Sequence, residues 1–394
     1  MDFIRKIPPM KELFVERMKM LLLDEKDFQN YLEILKIHPV KSIRCNTLKI
    51  SPLELKRKLE EKGWKIRQPW KNNPEVMIVE GKICEGFSLS RPPTQDCNLY
   101  SLVDIGKKSL NKKIVNVKNN VEQLTILNRK SSSLSTLNKS QGKAESFLQD
   151  IEPGEVGRAL EHQLGYYYMQ ELASMLPVIA LESKKNDLIL DLCAAPGSKT
   201  TQLSSEMKGT GTIIANEVSM GRLKILASNL EKCGASNTII TRKDGFAFCK
   251  RLVKFNPEIK FDRILVDAPC SGEGTLRSSF KTYKMWNIKT IQNLPKIQKA
   301  LVESAFEILK SNGVLVYSTC THAPEENEEV VDAILEKFGD KIKLEKIELP
   351  IKIREGITEW ENMKFSKEVK KCARIYPQDN DTEGFFIAKF RRVK

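Results

Sequence analysis

Two cysteines stand where the chain suits chemistry better than packing. Asp267-Ala268-Pro269-Cys270-Ser271-Gly272-Glu273-Gly274 follows the apolar run Ile264-Leu265-Val266. Tyr317-Ser318-Thr319-Cys320-Thr321 closes the run Val314-Leu315-Val316. Each run reads as a short buried strand, which places each thiol just past a strand's carboxyl end, among small and polar loop residues. If the strands are central neighbours, both thiols face one cleft. A thiolate there is a nucleophile, and a second acid–base group beside it can move a proton. The remaining cysteines (Cys45, Cys84, Cys97, Cys193, Cys233, Cys249 and Cys372) form no CxxC pair, and His38, His162 and His322 are scattered. Neither a disulfide framework nor a metal site is expected, and reduced thiols are the default.

A second stretch, Leu188 to Thr201, has the sequence LILDLCAAPGSKTT. The apolar run Leu188-Ile189-Leu190 ends in Asp191, a small-residue turn follows, and a helical pattern begins. In open α/β sheets, ligands bind at the carboxyl ends of strands beside such turns. Gly197 permits close backbone approach, and free N–H groups at the next helix start face the same space. Pro196 removes a donor and no GxxxxGK[ST] or GxGxxG run is present, so this is neither a phosphate loop nor a dinucleotide fingerprint. Acidic residues recur at the following strand ends. Glu217 follows Ile213-Ile214-Ala215-Asn216 and suits ribose hydroxyls. Asp244 follows the third strand and can accept from an adenine amino group, and Asp267 ends the fourth. One such carboxylate is routinely a helix cap, but three beside one small-residue loop point to a ligand.

Stepping outward, these residues need a sheet to hold them. Strands are expected near Leu188–Leu192, Thr212–Asn216, Thr238–Thr241, Arg263–Asp267, Val314–Ser318, Ile342–Ile347 and Phe385–Phe390. Helices lie between most of them, such as Met220–Lys232 and a helix over Gln298–Lys310 entered at Pro295. This alternation means a mostly parallel sheet covered on both faces. Upstream, Met10–Leu23, Phe28–Leu35 and Leu53–Leu59 read as helices, and Ser42–Lys49 leans to strand. The region around Lys107-Lys108, Lys112-Lys113 and the Ser131–Lys143 tract reads as loop or partial disorder, with Ile114–Val117 as a short strand. The organisation expected is therefore a small α+β subdomain over 1–83, a Lys/Ser/Asn-rich insertion over 84–153, and an α/β domain over 154–394.

The chain has 394 residues, 41% of them hydrophobic, and a formal charge of +14. That balance predicts a polyanionic partner, nucleic acid first. No run of about 18 apolar residues suggests a membrane span, and MDFIRKIPPMKELF lacks a signal-peptide core, so a cytoplasmic protein is expected.

Several of these stretches also resemble the NOL1/NOP2/Sun family of RNA cytosine-5 methyltransferases. DLCAAPGSKTT resembles its cofactor motif, with Gly197-Ser198 where the family usually has two glycines. PCSGEGTLR and STCTHAPEENE match it in both cysteine segments. Gly165–Ser174 resembles its "QE-x-x-S" helix, and RCNTLK at 44–49 resembles its N-terminal RNA-contacting subdomain. Arg374-Ile375-Tyr376-Pro377-Gln378 and Gly384–Ala388 also match, although a histidine is common where Gln378 stands. The resemblance implies a class I S-adenosylmethionine methyltransferase fold, a seven-stranded Rossmann-like sheet with its last strand antiparallel. It implies S-adenosyl-L-methionine as cofactor, contacted by Cys193, Ala194, Ala195, Pro196, Gly197, Ser198, Lys199, Glu217, Arg222, Asp244 and Asp267.

C5 of cytosine is a poor nucleophile. Thiolate addition at C6 makes it enamine-like, a base must then remove the C5 proton, and a donor at N3 stabilises the developing charge. Spacing alone does not say which thiol attacks. DNA cytosine methyltransferases use a Pro-Cys cysteine, which would be Cys270. The RNA family resembled here uses the Thr-Cys cysteine, so the resemblance implies Cys320 as nucleophile and Cys270 in proton removal and release. Asp267 is expected to hold a protonated base nitrogen, and Lys199 to lower a thiol pKa or orient Asp267. Pro324–Glu328 is expected to open a helix, its acidic first-turn residues favourable against the helix dipole, and to fix the Cys320 loop. Resemblance to compact archaeal members implies tRNA as substrate, with rRNA second. A monomer without metal or membrane association is expected. The competing readings are DNA methylation through Cys270 and a basic RNA-binding assembly factor with an inactive methyltransferase fold.

Overall fold

A computed structural model describes residues 5–86 and 145–393. The chain divides into two compact units, one formed by Met1–Lys82 with Asp150–Lys394 and the other by Ile83–Gln149. The strand expected at Ile114–Val117 lies outside the described residues.

The first unit opens with helices α1 (Glu12–Leu22) and α2 (Glu25–Leu35). Asp24 caps α2 by accepting from the Lys26 amide, the usual service of a short acidic side chain at that position. Strand β1 (Lys41–Cys45) follows, then α3 (Pro52–Glu60), β2 (Trp64–Arg67) and β3 (Val76–Gly86). Ser51 caps α3 with proline in its first turn, a pairing that supplies both the missing acceptor and a pre-set φ. Strand β4 (Glu145–Gln149) belongs to the second unit.

Gly165–Ser174 is not one helix. Tyr167–Met169 is a strand, β5, paired antiparallel to β1 through Ile43–Met169 and Cys45–Tyr167, and helix α4 (Leu172–Leu181) starts only after it. The tyrosines alternate between faces as a strand requires, and Glu171 caps α4 by accepting from the Ser174 amide.

The large sheet carries β6 (Leu188–Asp191), β7 (Thr212–Asn216), β8 (Thr238–Thr241), β9 (Phe261–Asp267), β10 (Leu309–Thr319), β11 (Ile342–Glu345), β12 (Arg354–Glu355), β13 (Ala373–Ile375) and β14 (Phe385–Arg392). Its order is β8-β7-β6-β9-β10-β14-β13-β12, with β11 also paired to β14. Strands β6 to β10 are mutually parallel and β14 runs antiparallel to β10. All seven expected strands are present, in the arrangement of the class I methyltransferase fold. The chain winds outward from β6 to β8 and returns to place β9 on the other side of β6, so the order reverses between β6 and β9. A crevice opens at such a point, outside the carboxyl ends of the strands.

Helices α5 (Ser198–Glu206), α6 (Met220–Cys233), α7 (Gly245–Phe255), α8 (Ile288–Glu307) and α9 (Glu328–Phe338) cover the sheet. Alternate strand residues divide between two cores. Leu190, Ile264, Val266 and Leu315 pack with Leu301 and Ala305 of α8 and Val330 and Ile334 of α9. Ile189, Leu265, Val314 and Val316 pack with Leu176 of α4 and Leu203 of α5. Pro295 lies inside α8 rather than at its start. The cap is Asn287, whose side chain accepts from the Thr290 amide. The apolar period extends back to buried Ile291, and that burial outweighs the proline's lost hydrogen bond. A third core joins Phe14, Met18, Phe28 and Tyr31 of α1 and α2 to Leu276, Trp286, Ala323 and Tyr376, so the N-terminal helices brace the loops that follow β9 and β10. No described helix is long and apolar enough to cross a membrane.

Candidate active site

The loop after β6 turns sharply at Gly197, whose φ of +103° is open to glycine and strained for other residues. A Cβ there would meet Leu226 Cδ1 at 3.0 Å, so α6 packs directly against the loop. Asn216, at the end of β7, ties three strand ends together. Its amide donates to the Leu192 and Lys243 carbonyls (3.1 and 3.0 Å), and its oxygen accepts from the Lys243 amide and the Thr241 hydroxyl. Nothing in its sequence context singled it out.

Glu217 is 2% exposed. One oxygen accepts from the Ser219 amide at 2.8 Å and the other meets Arg222 at 3.3 Å. Arg222 also donates to the Ala195 carbonyl, so these expected cofactor residues converge around the loop. Asp244 is exposed and caps α7 through the Ala247 amide at 2.9 Å. Burial drives the Cys193 thiol upward, with Asp191 next, which disfavours a thiolate there.

Asp191 carries the fit to the cofactor. Its Oδ2 accepts from the Thr200 hydroxyl at 2.7 Å, while its buried Oδ1 has no hydrogen-bond partner. Burial, reinforced by Asp267 and Glu217, pushes its carboxyl up to about 7. An acidic strand-end cluster of this kind favours a positively charged ligand beside it. S-adenosylmethionine carries two positive centres, an ammonium and a sulfonium, so the residues present fit it.

Lys199, in the first turn of α5, is 7% exposed, which excludes a solvated surface role. Its ammonium donates to Asp267 Oδ2 at 2.7 Å and to the Ser174 hydroxyl at 3.0 Å. The other Asp267 oxygen accepts from the Ser318 hydroxyl at 2.7 Å. Register sets this up, since Ser318 of β10 sits opposite Asp267 of β9. Lys199 thus joins Asp267 on one side to Ser174 on the other.

The two thiols are in contact, with Cys320 on the cavity side. Cys270 Sγ lies 3.2 Å from Cys320 Sγ and accepts from the Cys320 amide at 3.3 Å. The Cys320 contact, then burial, drives the Cys270 thiol well above its ordinary range. Cys320, Lys199, Asp267, Ser174 and Phe385 line a cavity of about 510 Å³.

Buried polar groups lock both loops. Ser271 and Thr321 hydroxyls meet at 2.8 Å, and Glu273 Oε2 accepts from Thr321 at 3.1 Å. The Gly274 amide donates to the Cys320 carbonyl, and the Gly384 amide to the Gly274 carbonyl, both at 2.9 Å. Helix α9 starts at Glu328, later than Pro324. The acidic run before it forms buried bonds instead of complementing the helix dipole. Glu325 pairs with Arg17 at 2.8 Å, Glu326 accepts from the Ser271 amide at 3.0 Å and from Gln298 at 2.9 Å, and Asn327 donates to the Thr321 carbonyl at 3.1 Å. The expected fixing of the Cys320 loop thus runs through side chains.

Two other stretches serve packing. Arg44 is 1% exposed and donates to Gln170 (2.9 Å) and Thr201 (2.8 Å), and Asn46 donates to the Gly165 and Cys233 carbonyls. Both are spent inside the protein, so the RCNTLK stretch offers RNA neither side chain. Gln378 donates to Asp27 at 3.1 Å. No described cluster of His, Cys, Asp and Glu is arranged to hold a metal ion.

Residues 178–391 match the family described as 16S rRNA methyltransferase RsmB/F. A tRNA (cytosine(49)-C(5))-methyltransferase from Pyrococcus abyssi is 45% identical over 252 residues, 64% of this chain and 78% of that protein. Ribosomal RNA small subunit methyltransferase F from Vibrio cholerae is 42% identical over 240 residues, 60% of this chain and 48% of that protein. The chain thus matches only about half the length of the bacterial relative. Among solved structures, a methyltransferase homolog from Pyrococcus horikoshii superposes with a TM-score of 0.67 at 27% identity, covering 97% of this chain and 95% of that one. NSun6 from the same organism, crystallised with SFG, gives 0.67 at 26% identity, covering 98% of each.

Proposed function

This chain belongs to the RsmB/F methyltransferase family, the Sun family of RNA cytosine-5 methyltransferases, and from that premise we propose that it methylates C5 of a cytosine in tRNA. The P. abyssi relative supports tRNA, because the chain spans most of that protein's length. The name of the Vibrio relative supports rRNA as the second reading. The net charge of +14 suits either polyanion.

S-adenosylmethionine is the proposed cofactor, supported by the orphan Asp191 oxygen and by the neighbour solved with SFG, an analogue of it. When bound, it supplies an electrophilic methyl group on a positively charged sulfur. Asp191, Glu217, Arg222 and the 193–198 turn would hold it, with Asp244 at the adenine end.

The observation that carries the mechanism is the thiol pair, 3.2 Å apart at the ends of adjacent parallel strands. Cys320 lines the cavity and is the proposed nucleophile. Its sulfur lone pair forms the bond to C6, and C5 becomes the carbon that takes the methyl. Cys270 beside it, whose thiol the Cys320 contact pushes up, is the proposed proton carrier. It gives its proton to solvent once sulfur is bonded to C6, and after methyl transfer its thiolate takes the C5 proton, the C–H pair restores the C5–C6 double bond, and the Cys320 sulfur departs with the pair of the S–C6 bond. Lys199 holds Asp267 against the cavity wall during both half-reactions.

The test uses tRNA and rRNA carrying 5-fluorocytosine, whose fluorine cannot leave as a proton does, so the covalent adduct persists. Wild type should form an adduct with tRNA, Cys320→Ser should form none, and Cys270→Ser should still attach. Loss of the adduct in Cys270→Ser alone would reverse the two roles. Absence of any adduct with wild type would refute the reading.

A further inference from the structure

One carboxyl in the cavity has no role in this scheme. Glu383 sits on the turn into β14, is 4% exposed, and lines the same cavity as Cys320, Lys199 and Asp267. Neither of its oxygens makes a hydrogen bond of ordinary distance and angle, although the Ser278 hydroxyl, which also reaches the Thr275 carbonyl at 3.4 Å, and the Arg277 backbone amide approach closely enough to oppose the rise of its carboxyl.

Its backbone, by contrast, is held from every side. The Glu383 amide donates to Glu171 Oε1 at 2.9 Å. Fully buried Arg277 donates to the Thr382 carbonyl at 2.9 Å and to Asp381 at 2.6 Å. The Gly384 amide is bound to the Gly274 carbonyl. A rigid backbone presenting a weakly paired buried carboxyl is costly in the free protein, and a ligand group that pairs with it recovers that cost.

The other carboxyls at the cavity are spent. Asp267 gives one oxygen to Lys199 and the other to Ser318, and Glu171 gives its two to the Glu383 and Ser174 amides. Burial pushes the Glu383 carboxyl up to about 7, with the charge of Glu171 adding to the rise and Ser278 and Arg277 opposing it. Arg5, Tyr31 and Tyr283 also face it.

We propose that Glu383 reads the N3–N4 edge of the target cytosine and lends N3 a proton while sulfur adds to C6. Cytosine presents a donor, the N4 amino group, beside an acceptor, N3. A neutral carboxyl matches both, with its carbonyl oxygen accepting from N4 and its hydroxyl donating to N3. As the Cys320 sulfur bonds to C6, the C5–C6 π pair moves to C4–C5 and the N3–C4 π pair becomes a lone pair on N3. That pair takes the Glu383 proton and leaves a carboxylate. When C5 takes the methyl, the C4–C5 pair forms the new bond, N3–C4 is restored, and N3 returns the proton to Glu383. The residue ends as it began. The proposal rests on the cytosine-5 reading above and gives the contact with N3 to Glu383 rather than to Asp267.

The test compares full-length wild type with Glu383→Gln in single-turnover methylation of tRNA across pH 5.5 to 8.5, with S-adenosylmethionine affinity measured by calorimetry. Glutamine keeps the shape and both kinds of polar atom but cannot lend a proton. The expected result is a loss of about 100-fold or more, unchanged cofactor affinity, and disappearance of the wild-type decline as pH rises through about 7. A variant within about twofold of wild type with the same pH profile would overturn the Glu383 role and leave the methyltransferase reading intact. Wild type that methylates no cytosine would overturn both. Should the variant fail to fold, the wild-type profile decides, because a rate that does not fall above neutral pH refutes the proton-lending step.

Discussion

Gly274→Ala tests whether the two cysteine loops act as one unit. A Cβ at position 274 would lie 2.3 Å from the Gly384 carbonyl oxygen, 2.7 Å from its carbon and 2.9 Å from the Cys320 carbonyl oxygen. All three are backbone atoms, so no side chain can swing aside. Reaching ordinary contact requires a displacement of about 1 Å. That movement breaks the Gly274–Cys320 and Gly384–Gly274 hydrogen bonds, each 2.9 Å, at about 1 kcal/mol apiece. Overpacking adds about 1–3 kcal/mol, for a total of roughly 3–5 kcal/mol. The displaced atoms carry Cys320, and a misplacement of about 1 Å at a reacting centre costs on the order of 100-fold in rate. The cofactor loop at 193–198 shares none of these contacts. Gly274→Ala should therefore lose about two orders of magnitude in single-turnover methylation and several degrees in Tm while binding S-adenosylmethionine as wild type does. Full activity with an unchanged Tm would refute the coupling of the loops through Gly274.

Two further outcomes follow from buried charge. Arg374 and Glu328 form a bidentate pair with both contacts at 2.6 Å, and their side chains are 3% and 0% exposed. Arg374→Met strands the carboxylate and should cost about 3–5 kcal/mol in urea unfolding, part of which Glu328→Gln in the same chain should recover. Asp191 gives a pH signature. Its native carboxyl is pushed up to about 7 from an ordinary value of 3.8, so between those limits the native state holds a proton that the unfolded chain has lost. Its contribution to stability is complete below the lower limit and declines as pH rises toward the upper, by about 1.4 kcal/mol per pH unit. Asp191→Asn should flatten that part of a Tm-against-pH curve recorded without cofactor, and an unchanged slope would refute the burial of an uncompensated carboxyl.

Much of the fold is legible in the chain because the signals are local. Runs such as Leu188–Leu190 and Val314–Val316 are short, apolar and followed by small-residue turns, and period and punctuation suffice to recognise them. Two boundaries went the other way for tertiary reasons. Pro295 looks like a helix start, but buried Ile291 and the Asn287 cap extend α8 through it. Tyr167–Met169 becomes a strand because β1 offers an open edge, a partner distant in sequence.

What the sequence by itself determined is the placement of Cys270, Cys320, Asp267 and Glu217 at or just past strand ends, and of Lys199 at the start of the helix after the 193–198 turn. These follow from composition next to periodic segments, which tertiary contacts do not alter. Only the folded structure decided which of these groups are free to act. Asp267 is spent on Lys199 and Ser318, Arg44 and Asn46 are spent on packing, and Glu325 and Glu326 are buried bonds rather than a helix-dipole device. Glu383, which no motif marked, lies in the cavity wall with only weak partners. Whether a polar atom is satisfied depends on partners dozens to hundreds of residues away, and no local pattern records that distance in the chain.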